Sequence, residues 1–194
     1  MAGIDRRNLL PLLFPSPGNF LFVSGLAGAA RDLAALTNDG PNLFALGGVM
    51  GSSTMIGLGI AIGAPDRNVA VVTGDGELQM NIGALITVAN ANPPNLTIVC
   101  VDNERHGETG GQAGHTGRGT RLDFIASGAG FQSTLAISQS DEAARAAEFI
   151  RSATGPRFLT VKVLNTDPSS HKRLMDPAGC RYRFKAAFAA QGTT

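Results

Sequence analysis

The stretch VAVVTGDGELQMNIGALITVANANPPNLTIVCVDN, residues 69–103, decides the fold. Val69–Thr73 is a near-continuous apolar run, bounded by polar Arg67-Asn68 and by Gly74-Asp75-Gly76. Strands buried on both faces of a parallel sheet have this composition. Leu96–Val101 is a second such run and stops at Asp102-Asn103. Between them, Glu77–Asn92 reads as a helix closed by Pro93-Pro94. Strand, helix and strand in this order predict a parallel crossover unit.

The same alternation extends in both directions. Upstream, Phe20–Ser24 reads as a buried strand, Ala27–Leu36 as a helix and Asn42–Leu46 as a short strand. The segment Gly47–Gly63 has apolar and small residues on every face, which predicts a fully buried helix. Downstream come a polar, Gly-rich loop (Glu104–Thr120), a short helix (Leu122–Gly128), a strand (Phe131–Ile137), a helix (Asp141–Ser152) and a strand (Arg157–Leu164). The predicted class is α/β: a doubly wound, mostly parallel sheet with helices on both faces. An N-terminal arm (1–18), a binding domain (19–166) and a basic C-terminal extension (167–194) are the expected parts. Ligands of such sheets bind beyond the carboxyl ends of the strands.

Composition narrows the classes. Lys+Arg 16 against Asp+Glu 15 gives a formal charge of +1, which does not favour nucleic acid or an anionic membrane as a partner. A charged share of only 16% with 43% hydrophobic residues points to an exterior partly covered by another chain. Gly at 25 of 194 implies tight turns and close backbone approaches. Two cysteines, Cys100 and Cys180, make no disulfide framework and fit a reducing compartment. Arg6-Arg7 before Leu9–Phe14 superficially resembles a signal peptide, but Pro11 and Pro15 interrupt the run and no small-residue cleavage site closes it. A short helix or arm and a cytoplasmic location are expected.

Asp75 and Asn103 stand at two strand ends, 28 positions apart, the length of one crossover. On neighbouring strands they would present a carboxylate and an amide oxygen side by side. Such hard oxygen ligands suit Mg²⁺, which shares its sites with phosphate oxygens. Gly74 and Gly76 allow close approach, and the helix after them offers free N–H groups to an anion. The residues therefore predict a Mg²⁺–diphosphate site. A dinucleotide reading of Gly57-Leu58-Gly59 with Gly63 fails, because the spacing is wrong and the glycines lie inside an apolar helical segment. Close helix packing is their expected role.

Gly-Asp-Gly followed by Asn between apolar strands resembles the thiamine-diphosphate binding motif. The resemblance runs from Phe20 to about Leu164 and covers the pyrophosphate-type domain of these enzymes. GGVMGSS, GDGELQMNIGALITVA and DNERHGETGGQ are most similar to the short beta subunits of the sulfopyruvate and phosphonopyruvate decarboxylase group. The resemblance implies thiamine diphosphate and Mg²⁺ as cofactors and the thiamine-diphosphate-binding fold. It implies that Asp75, the Asn103 side chain and the Arg105 carbonyl ligate Mg²⁺, and that Gly76 and Glu77 offer N–H groups to the diphosphate beside Gly74. The Ser24-Gly25-Leu26 turn would lie against the phosphates. Gly48 carbonyl and Met50 N–H would meet the aminopyrimidine, with the Met50 side chain wedged under the bent cofactor.

These enzymes also need a glutamate from a separate pyrimidine-type domain, which 194 residues cannot hold beside this one. An alpha-type partner subunit carrying that domain and its activating glutamate is therefore expected, in a hetero-oligomer. The loop after Asn103 offers Arg105, His106, Glu108, Thr109, Gln112 and His115 for cofactor or substrate contact, with Arg118 and Arg121 as further cations. His106 and His115 are candidate catalytic proton donors. The family's Tyr-type residue is replaced by His106, which leaves the 2-oxo-acid substrate open. The basic segment His171–Phe188 would close over the site, clasp the partner, or lie solvated. The expected activity is non-oxidative 2-oxo-acid decarboxylation. Alternatives are the beta subunit of a 2-oxo-acid:ferredoxin oxidoreductase, to which Thr109-Gly110-Gly111-Gln112 is also similar, an acetohydroxyacid-type ligase, and a non-catalytic cofactor-binding subunit. Cys100 and Cys180 cannot supply an iron–sulfur ligand set.

Overall fold

A computed structural model describes residues 3–189, so the outermost residues of the expected arm and extension lie outside the described part. Six strands form one parallel sheet: β1 (Phe20–Ser24), β2 (Leu43–Ala45), β3 (Asn68–Gly74), β4 (Leu96–Asp102), β7 (Ser133–Ile137) and β8 (Arg157–Lys162), in the order β2-β1-β3-β4-β8-β7. Two short strands, β5 (Arg105–His106) and β6 (Gln112–Ala113), pair as a separate hairpin. The doubly wound parallel sheet expected from the apolar runs is the observed fold.

Side chains alternate across the sheet with the period of two that a strand imposes. Phe22, Ala70, Val72, Val99, Val101, Leu135 and Leu159 point to one face. There they meet α1 (Arg6–Leu13), α2 (Ala27–Thr37) and α7 (Ala143–Ser152) through Leu9, Leu13, Phe14, Leu33 and Ile150. Leu21, Val23, Val69, Val71, Ile98, Cys100 and Phe158 point to the other. That face is covered by α3 (Ser53–Gly63), α4 (Asp75–Gln79), α5 (Ala84–Ala91), α6 (Leu122–Ala129) and α8 (Pro177–Ala189).

Three expectations change. The helix predicted over Gly47–Gly63 starts only at Ser53, because Gly47, Gly48 and Gly51 take positive φ and form a loop. Nor is it buried all round: Met55 and Ile62 lie on an exposed face. An all-apolar helix signals cover on every side, but within this chain only one side is covered. The helix predicted over Glu77–Asn92 is two, α4 and α5, separated by a turn at Met80–Gly83. Of the glycines in α3, only Gly57 has a close packing role, since a Cβ there would fall on the Val71 side chain of β3.

The basic C-terminal segment folds back on its own domain. Ser169 N–H donates to Asp32 Oδ1 at 2.7 Å, and His171 Nε2 lies 2.8 Å from Asp39 Oδ2. Helix α8 then covers the edge strand β2, with Cys180 and Phe184 buried and the Phe184 ring centred 5.3 Å from that of Phe44. Covering an edge in this way removes its capacity to pair with another chain. Arg181 and Lys185 remain outward.

Candidate active site

The connections from β1 and β3 leave in opposite directions, so the loops after these adjacent strands bound the crevice of a switch point. The Ser24-Gly25-Leu26 turn emerges from β1, and Gly74-Asp75-Gly76 from β3. A buried carboxylate joins the two. Glu77 Oε1 accepts from Ser53 Oγ at 2.8 Å, and Oε2 accepts from Leu26 N–H at 3.3 Å. Burial pushes the Glu77 carboxyl above the ordinary glutamate value, opposed by those two donors. The approach is so close that any side chain at Gly25 would land on the Glu77 carboxylate. Ser24 is fully buried, and its hydroxyl donates to Val72 O at 2.7 Å.

Strands β3 and β4 are direct neighbours, with Gly74 opposite Val101, so Asp75, Asp102 and Asn103 leave adjacent strand ends. Asp75 is 2% exposed and Asp102 1%. Between them stands Thr116 Oγ1, 3.1 Å from Asp75 Oδ2 and 2.8 Å from Asp102 Oδ1. Asp102 pairs with Lys162, whose Nζ lies 2.7 Å from Oδ2 and also 2.7 Å from Glu104 Oε1, one cation shared by two carboxylates. Asp75 has no ion pair among the described residues. Burial, and then the negative charge of Asp102, push its carboxyl from 3.8 up to about 6.

A buried, uncompensated carboxylate beside a second one is a place for a cation. Among the described residues no cluster of three or more His, Cys, Asp or Glu could hold a metal. An ion at Asp75 would therefore draw on neutral oxygens and on a ligand's own phosphates, as Mg²⁺ does. The residues present fit that group. Asn103 is partly exposed and its Oδ1 accepts from Arg105 N–H at 3.2 Å, a turn that holds the amide at the strand end.

A proton would compete with any cation bound at Asp75, whose carboxyl is raised to about 6. Mg²⁺ affinity is expected to be level above about pH 7 and to fall about tenfold per pH unit below about pH 6. Titration calorimetry of Mg²⁺ in the presence of thiamine diphosphate at several pH values checks this.

The loop after Asn103 is the β5–β6 hairpin, with His106 opposite Gln112. Arg105 folds back so that Nη1 donates to Gly111 O at 3.0 Å, and Thr109 Oγ1 donates to Gln112 Oε1 at 3.0 Å. Glu108 is exposed at the hairpin tip. His106 packs over Gly76, where an added Cβ would come within 2.9 Å of Nδ1, and its ring stands edge-on to His115, centroids 6.2 Å apart. His106 thus reaches the Asp75 strand end, and His115, exposed, stands beside it. Arg121 turns away to Asp123 at 2.6 Å and lies over the Phe124 ring. The Gly47–Gly51 loop is tied by Asn81 Nδ2 donating to Gly51 O at 2.9 Å, with Gly48 at φ 135° and Met50 half-buried.

Residues 30–161 match the model of the thiamine pyrophosphate enzyme, C-terminal TPP binding domain. The chain belongs to this family. It is 34% identical over 170 residues to the sulfopyruvate decarboxylase subunit beta of Methanocaldococcus jannaschii, covering 86% of this chain and 87% of that one. It is 32% identical over 188 residues to the phosphonopyruvate decarboxylase of Streptomyces viridochromogenes, covering 96% of this chain but 45% of that protein. In fold it resembles the thiamine diphosphate-dependent 4-hydroxybenzoylformate decarboxylase of Rhodococcus jostii RHA1, with a TM-score of 0.69 at 20% identity, over 87% of this chain and 34% of that one. Among the described residues no helix is long and apolar enough to cross a membrane.

Sequence reasoning misses four side chains in this thiamine pyrophosphate domain. Asp102 carries a signal, a carboxylate closing an apolar strand beside Asn103. Glu77 enters the sequence reading only through its backbone, whereas its side chain braces the switch point. Thr116 and Lys162 lie in a polar loop and at a strand end, and no spacing rule connects them to Asp75.

Proposed function

We propose that this chain is the beta-type subunit of a thiamine-diphosphate- and Mg²⁺-dependent, non-oxidative 2-oxo-acid decarboxylase, completed by a second chain. The observation that carries the proposal is Asp75: a buried carboxylate with no ion pair among the described residues, at the switch point, one strand from Asn103. The name and 87% coverage of the M. jannaschii subunit support the reaction class and the split assembly.

In this reading Asp75, Asn103 Oδ1 and the Arg105 carbonyl hold Mg²⁺. The N–H groups of Gly76 and Glu77, near Gly74 and the Ser24-Gly25 turn, receive the diphosphate. Gly48 carbonyl and Met50 N–H orient the aminopyrimidine, and the Met50 side chain supports the bent conformation. When bound, the cofactor supplies the electron sink for loss of CO₂. Glu108 and Thr109 belong to the wall of the cofactor loop. His106, over Gly76, and His115 beside it are the groups that would return a proton as the aldehyde forms. Arg105 and Arg118 are exposed cations for a second anionic group on the substrate.

The activating glutamate that the family resemblance implies would come from the pyrimidine-type domain of an alpha-type partner. The outer faces of neighbouring α3, α5 and α6, with Met55, Ile62, Ile86 and Phe124 exposed, support cover by another chain. Release of CO₂ from sulfopyruvate, phosphonopyruvate and simpler 2-oxo acids is the test, with and without the co-purifying chain. Turnover is expected only from the pair with thiamine diphosphate and Mg²⁺. Full turnover from this chain alone would refute the split site.

A further inference from the structure

The segment that carries His115 is built against the carboxylate proposed to take the metal. Thr116 Oγ1 stands between Asp75 Oδ2 and Asp102 Oδ1, at 3.1 and 2.8 Å. Its neighbours in the chain are equally close. A Cβ at Gly114 would come within 3.2 Å of Asp75 Oδ2 and 3.3 Å of the Glu104 carbonyl, and one at Gly117 within 3.2 Å of Glu104 Cβ. Gly114 N–H donates to Glu104 O at 2.7 Å. Glu104, at φ 62°, is held from the other end by Lys162, which also pairs with Asp102. A chain of contacts therefore runs from Asp75 through Thr116, Asp102 and Lys162 to Glu104, and Gly114 packs between Glu104 and Asp75.

A threonine hydroxyl has one proton and two acceptor lone pairs. It cannot donate to both carboxylates at once. Asp102 already accepts from Glu104 N–H at 2.9 Å and pairs with Lys162, so the threonine proton serves Asp75 Oδ2, which the hydroxyl holds in place without neutralising it. Groups that orient a metal ligand from behind set its geometry, and their loss costs metal affinity about 10- to 100-fold. We infer that Thr116 is a positioning residue: its hydroxyl locks the loop bearing His106 and His115 to the carboxylate that receives Mg²⁺. Metal loading and the arrangement of the proton-donor loop are then one event. The inference rests on the Mg²⁺ role of Asp75 proposed above and adds the element that couples it to the loop.

The test uses the full chain, in the assembly in which it purifies, with Thr116→Val and Thr116→Ser. Hydrogen exchange is read over residues 104–120 without metal, and Mg²⁺ titrations are read in thiamine diphosphate. Thr116→Val is expected to speed exchange in the hairpin and to weaken Mg²⁺ binding about 10- to 100-fold, with Thr116→Ser close to wild type in both. A structural role alone would lower the melting temperature of Thr116→Val and leave Mg²⁺ affinity unchanged, which would overturn the inference. Unchanged exchange and unchanged affinity would overturn it too, while leaving the decarboxylase reading intact. If the wild-type assembly itself bound no Mg²⁺, both would fall together.

Discussion

Asp75→Asn is expected to weaken Mg²⁺ binding by about 10²- to 10³-fold, a loss of about 3 to 4 kcal/mol. In the proposed site it would remove the one charged ligand and leave neutral oxygens, which bind the hard cation poorly. Cofactor-dependent CO₂ release should collapse at ordinary Mg²⁺ concentrations and recover in part at high Mg²⁺. The metal-free chain should respond in the opposite direction. Burial and Asp102 hold the folded Asp75 at about 6 against 3.8, so stability present below pH 3.8 is lost as pH rises through about 6. That loss amounts to about 3 kcal/mol at neutral pH. Asp75→Asn has no charge to bury here, so the metal-free variant should melt higher at pH 7.5, by about 2 to 4 °C for each kcal/mol recovered. At pH 4 the two proteins should melt together. Calorimetric scans at both pH values, without metal, check this, and a variant that melts lower at pH 7.5 would contradict it.

Gly25→Ala carries the second large effect. The conflict is spatial: the new methyl falls on the Glu77 carboxylate, which is buried and held by Ser53 Oγ and Leu26 N–H. Neither strand end can shift without opening the β1–β3 crevice. A cost of about 2 to 3 kcal/mol is expected, from overpacking and from the donors left unpaired if Glu77 moves. Thiamine diphosphate binding should fall with it, because the displaced turn is the one that faces the phosphates in our proposal. Adding Glu77→Ala should relieve part of the penalty, giving a coupling of about 1 to 2 kcal/mol in a double-mutant cycle by urea unfolding. Additive single effects would show that the turn and the carboxylate do not press on each other.

Much of the fold is legible in the amino-acid sequence, for physical reasons. Val69–Thr73 and Leu96–Val101 are apolar on both faces because both faces of the sheet are covered, and that composition marks a parallel strand wherever it stands. Gly74-Asp75-Gly76 and Asp102-Asn103 follow as strand ends, so the placing of Asp75 and Asn103 on adjacent strands is within reach of the pattern. Boundaries are less legible where glycine is dense. Gly47–Gly51 joins the predicted helix through its small and apolar residues, although three glycines in five disfavour a helix and their positive φ angles open a loop. The turn at Met80–Gly83 is hidden inside an apolar run.

The site's inner contacts are not legible at all. Thr116 and Lys162 reach Asp102 from positions 14 and 60 residues further along the chain, through a loop whose path is set by contacts and not by periodicity. The basic segment around His171–Lys185 shows a different limit. Its charge suggests anionic ligands, whereas its apolar Cys180 and Phe184 determine where it lies, on the edge strand β2.

Native mass spectrometry of the chain, drawn from its own cells in thiamine diphosphate and Mg²⁺, tests the central claim most directly. A split decarboxylase predicts a stoichiometric assembly with a second chain that carries a pyrimidine-type domain, holding one thiamine diphosphate and one Mg²⁺ per pair. A chain that emerges alone and without cofactor would contradict it.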